Sequence, residues 1–70
     1  MYNNTVLEAM FNILENKRRD DDTSPVHNPL LNITCKYVTD FLPYRFEKNG
    51  ECLFTFWTLE ELLKKFDEKV

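Results

Sequence analysis

Cys35, Cys52 and His27 are the side chains of this chain with the most chemistry to offer, as nucleophiles, metal ligands or a general base. Their placement gives them little to work with. A zinc site needs closely spaced pairs of Cys or His, and the two cysteines stand far apart with no such neighbours. His27 lies in a segment flanked by Pro25 and Pro29, and no serine or cysteine near it has the setting of an activated nucleophile. Asp20, Asp21 and Asp22 could open a calcium loop, but the alternating oxygen ligands and the closing glutamate are missing, so they read as a solvated charge run. A single glycine, Gly50, cannot build a phosphate-cradling loop. The expectation is a non-enzymatic protein with no catalytic residues, no cofactor, no bound metal and no small-molecule substrate.

A second kind of chemistry is phosphate contact. Lys17, Arg18 and Arg19 form a basic cluster, which Lys36, Arg45 and Lys48 could extend. The formal net charge of −3 opposes this, because polyanion binding needs positive potential over a whole face. Cations at the end of a helix also serve its dipole without any ligand. A nucleic-acid-binding regulator using Lys17, Arg18 and Arg19 is therefore the alternative reading and not the first.

The elements that would position these groups are legible in part. Asn49-Gly50 between two aromatic runs signals a hairpin. A three-residue loop with Gly50 left-handed places Glu47 opposite Glu51. It also gathers Leu42, Tyr44, Phe46, Cys52, Phe54 and Phe56 on one face, leaving Leu53 and Trp57 on the other. Thr58 and Glu61 form a capping box, with Trp57 and Leu62 spaced for a hydrophobic staple, and Leu59, Leu62, Leu63, Phe66 and Val70 make the stripe of the helix that follows. Thr5 and Glu8 suggest a similar start for an N-terminal helix, whose apolar side is Val6, Leu7, Met10, Phe11, Ile13 and Leu14. Residues 20–28 read as an internal loop.

Pro29 to Leu42 admits two readings. As a strand, Leu31, Ile33, Cys35 and Tyr37 alternate with polar neighbours. As a helix, Asn28 is the N-cap, Pro29 the first helical residue and Pro43 the stop, with Asn32, Lys36, Thr39 and Asp40 in one polar arc. The alternation fails after Tyr37, which favours the helix. The expected fold is a single small α+β domain over residues 1–70, ordered helix, helix, β-hairpin, helix; the alternative is helix, three-stranded antiparallel meander, helix.

Seventy residues stand near the lower limit for one self-sufficient core. Against that size the apolar inventory is large, with Leu53, Trp57 and Tyr2 left over once the faces are assigned. Such a surplus points to contact with another protein chain, a partner or a second copy forming a dimer. Trp57, Leu53, Tyr37 and Phe41 are the expected anchors, because bulky aromatics dominate interface energetics, and Arg45, Glu47 and Glu51 the charged rim. Both cysteines fall on expected core faces, as reduced thiols. No signal peptide or membrane-spanning stretch is recognised, so a cytoplasmic protein without a membrane partner is expected. Seven asparagines against one alanine and one glycine suggest AT-rich coding. In size and composition the chain resembles accessory proteins of phages and other mobile elements. That resemblance implies an inhibitor of host machinery, acting in the host cytoplasm if virus-encoded.

Overall fold

The computed structural model describes residues 2–39, 41 and 43–69. The roles assigned above to Asp40, Leu42, Val70 and the Tyr2 side chain lie outside the described residues. The order is α1 (Tyr2–Arg19), β1 (Val26–Asn28), β2 (Ile33–Lys36), β3 (Tyr44–Lys48), β4 (Glu51–Phe56) and α2 (Leu59–Lys69). The fold is a small α+β domain, as expected, but its four strands form one antiparallel meander in the order β1-β2-β3-β4. Among the described residues of 29–42 the expected helix is absent, and 26–28, expected as loop, is a strand.

The error over 29–42 has a local cause. Asn28 does act as a cap: its side-chain Oδ1 accepts hydrogen bonds from the backbone N–H groups of Leu30 (2.9 Å) and Leu31 (3.1 Å). The turn that it starts does not propagate, because Asn32 takes a left-handed conformation (φ 55°) and sends the chain back as β2. Ile33, Cys35 and Tyr37 then alternate inward as the strand reading required. Antiparallel pairing on both flanks, to β1 and to β3, satisfies the backbone of a segment whose β-branched residues suit a strand.

α1 begins ahead of Thr5, which lies inside it, so Thr5 and Glu8 are not its start. A side-chain cap contributes only about 1 kcal/mol, and one further turn supplies carbonyl partners to the same N–H groups. Leu7, Met10 and Leu14 are buried, with Val6 and Phe11 packed beside them. The helix ends on Asp21 in the left-handed region (φ 54°), with Asp22 N–H bonded to Lys17 C=O (2.8 Å) and Asp21 N–H to Arg18 C=O (3.2 Å). This is a Schellman ending with aspartate where glycine is usual. α2 starts as its spacing predicts: Glu61 N–H donates to Thr58 Oγ1 (3.1 Å), and Glu61 Oε1 accepts from Trp57 N–H (3.0 Å).

The hairpin differs from expectation in its turn. Asn49 (φ 55°) and Gly50 (φ 80°) are both left-handed, the signature of a two-residue type I′ turn, and Lys48 pairs with Glu51. That register alone would put Phe54 and Phe56 on the wrong face. A β-bulge at Leu53 corrects it, so that Phe46 meets Phe54 and Tyr44 meets Phe56. The expected aromatic face therefore forms, with two changes. Cys52 lies opposite Glu47 and is exposed, and Leu53 packs against the core instead of facing outward. Nothing lies within 4 Å of a Cβ built on Gly50, so substitution there meets only backbone strain. We expect Gly50→Val to cost about 1 kcal/mol or more, with Gly50→Asn much better tolerated; equal melting temperatures for the two variants would contradict the turn type.

Both helices cover one face of the sheet. α1 lies against β1 and β2, α2 lies against β4, and the helices touch each other. Between them and the sheet sits an aromatic core, including the Phe46–Phe54 stack (centroids 4.4 Å apart) and the edge-to-face Phe11–Tyr44 pair (5.9 Å). Cys35 is buried here, opposite Phe46, and burial pushes its thiol up to about 12. Cys52 points to the other face, two strands away, so the cysteines cannot bridge.

Candidate functional site

The face of the sheet away from the helices is the larger uncovered feature. Its residues follow from the register: one row across the strands is His27, Thr34, Glu47 and Cys52, and the next is Lys36, Arg45 and Thr55. The rows are polar. His27 Nδ1 and Thr34 Oγ1 are 2.9 Å apart, and Arg45 Nε lies 3.4 Å from Glu47 Oε2. Lys36 stands directly opposite Arg45, like charge against like charge, and no described carboxylate pairs with it.

At the end of the sheet where β2 turns into β3 and β4 runs into α2, two aromatic side chains are uncovered. Phe41 is 91% exposed and Trp57 is 45% exposed. Topology brings them to this end because Tyr44 pairs with Phe56, which sets Trp57 beside the connection that carries Phe41. Leu30 (80% exposed) lies at the opposite end, where the Asn32 side-chain amide donates to Asn49 Oδ1 and ties the two turns together.

Four anchors were expected and two stand on the surface. Phe41 and Trp57 are exposed and share one end of the sheet. Leu53 is half-buried on the bulge, against the core. Tyr37 is 1% exposed and belongs to the core, its ring edge-on to Tyr44 and its hydroxyl 3.4 Å from Asp21 Oδ1. The correction follows from the strand: alternation after Cys35 turns Tyr37 inward, whereas the helical reading left it free. Of the rim, Arg45 and Glu47 form an ion pair on the outer face, and Glu51 pairs with Lys48 beside the turn instead of facing Glu47. Lys36, named above only as an extension of the basic cluster, was missed as the cross-strand neighbour of Arg45. Only its place on β2 brings it against Arg45, and the helical reading hid that.

The basic cluster at the end of α1 is engaged within the fold. Lys17 Nζ donates to Ser24 Oγ (2.6 Å) and pairs with Asp22 (3.2 Å). Ser24 also bonds Asp22 through its backbone N–H and its hydroxyl, and these bonds, with Lys17, hold the Asp22 carboxyl down at about 2. Arg18 pairs with Glu15 (3.6 Å), whose carboxylate also accepts the Tyr44 hydroxyl, and Arg19 reaches Asn16 Oδ1 (3.4 Å). Burial, then that bond to Glu15, pushes the Tyr44 phenol up to about 12.

Among the described residues there is no enclosed pocket, no trio of His, Cys, Asp and Glu side chains placed to hold a metal, and no helix long and apolar enough to cross a membrane. Comparison of the chain with models of protein families, with curated proteins and with solved structures finds no match.

Proposed function

We propose that this is a non-enzymatic contact protein, which acts by binding another protein chain through the end of the sheet that carries Phe41 and Trp57. The observation that supports it is the exposure of two large aromatics at one end of a domain whose other described rings pack inward. Aromatic side chains bring the most contact area per residue and recur as the energetic centres of interfaces. Strand addition along β4 is a poorer route. The bulge at Leu53 interrupts its edge, and Lys65 Nζ donates to Thr55 C=O (2.8 Å), occupying a main-chain acceptor of that edge. The bound chain is either a second copy or a different protein, and inhibition of host machinery is the role that the resemblance to accessory proteins of phages and mobile elements implies. Nucleic acid is the weaker reading, since Lys17, Arg18 and Arg19 already have partners within the fold.

The test is a Phe41→Ala, Trp57→Ala double variant beside the parent, in sedimentation velocity and in affinity capture from the native host. Exposed side chains contribute little to folding, so the variant should melt within a few degrees of the parent while its dimer or its captured protein is lost. A monomeric parent whose captured proteins all survive the double substitution would remove the proposal.

A further inference from the structure

We infer that the outer face of the sheet receives an acidic protein segment, with Lys36 and Arg45 meeting its carboxylates and Trp57 an adjoining apolar side chain. This rests on the contact-protein reading and names the chemistry of the partner. The argument starts from the register. Lys36 and Arg45 are direct cross-strand partners, and like charges placed so destabilise a sheet. Glu47 answers Arg45 at 3.4 Å and leaves Lys36 unanswered among the described residues. A domain of net charge −3 thus keeps two cations side by side at a cost to its own sheet. A local arrangement that works against the fold is where a ligand contribution is to be sought.

The neighbours suit an extended acidic segment. Thr55 follows Arg45 in the same row and offers a hydroxyl, and Trp57 is the next exposed position along that strand line, Phe56 between them being buried. Cations and hydroxyl therefore form one row across the sheet, and Trp57 follows two residues past Thr55, just beyond the end of β4. A polyanion fits less well. It senses the whole molecule's negative charge, whereas one or two carboxylates respond to Lys36 and Arg45 within a Debye length.

Trp57 is the only tryptophan, so its emission reports on the site. The probe is an acetylated, amidated decapeptide alternating glutamate with leucine, set beside its glutamine analogue and a ten-nucleotide oligothymidylate. A saturable, salt-sensitive change in Trp57 emission is expected with the acidic peptide. Loss of a charge-assisted contact should weaken binding by about tenfold or more with the glutamine analogue and in Lys36→Glu. The same Lys36→Glu variant should melt about 2 °C higher than the parent, because it replaces a like-charge pair by an opposite one. Weaker binding with a higher melting point cannot come from damage to the fold. No saturable response, equal binding of the glutamine peptide, or tighter binding of the oligonucleotide would each overturn the inference. Equal binding of the neutral peptide would do so while leaving the contact-protein reading intact, and that reading stands or falls on the Phe41 and Trp57 variants.

Discussion

Phe46→Ala should bring the domain to the edge of unfolding, with a loss of about 4 kcal/mol, the usual scale for deleting a buried phenylalanine ring. Phe46 is fully buried at the crossing of three elements. It stacks on Phe54 of β4, meets Phe66 of α2 edge-on at 5.9 Å, and lies opposite Cys35 of β2. The space left behind is bounded by both a helix and the sheet, so neither can move in to fill it without giving up its other contacts. A domain of this size has a total stability of about 4 to 10 kcal/mol. The expected result is a melting temperature about 20 °C lower in circular dichroism, or no cooperative transition. A drop of less than about 5 °C would show that the core does not close around Phe46 as described.

Tyr37→Ala should behave as a core substitution, not as an interface one. Tyr37 is buried between β2 and α1's end, packed edge-on against Tyr44 with its hydroxyl near Asp21. Its removal should cost about 3 to 5 kcal/mol, whereas Tyr37→Phe, which keeps the ring, should cost about 1 kcal/mol or less. Had Tyr37 been an exposed anchor, the alanine variant would melt like the parent and lose only its association. The pair of variants therefore separates the two placements by thermal melts alone. A Tyr37→Ala protein with an unchanged melting temperature would return Tyr37 to the surface and undo the strand at β2.

The contrast between Tyr37 and Phe41 shows why the candidate site was half legible. Both are aromatic, both sit near Pro43, and nothing in their types tells them apart. Their fates are set by which backbone periodicity runs through Cys35. A period of two sends Tyr37 inward, and the connection to β3 then carries Phe41 out to 91% exposure. The Asn28-Pro29 signal for a helix start was real, since Asn28 does cap the next two N–H groups, but a cap reports only the first turn. Asn32, which reversed the chain, has no mark in the sequence beyond an asparagine's tolerance of positive φ.

Local chemistry was enough to read α2 from Thr58 and Glu61, the cationic end of α1, the hairpin at Asn49-Gly50 and the inward face formed by Tyr44, Phe46, Phe54 and Phe56. Each depends on residues within a turn or two of one another, where capping, turn geometry and alternation act without help from elsewhere. Pairing between distant segments decided the remainder: β2 in place of a helix, Tyr37 in the core, and Lys36 set against Arg45; Cys52 faces outward because the turn at Asn49-Gly50 has two residues and sets it opposite Glu47. The physical reason is that a short apolar segment satisfies its backbone equally well in either periodicity until another strand is present to accept its hydrogen bonds.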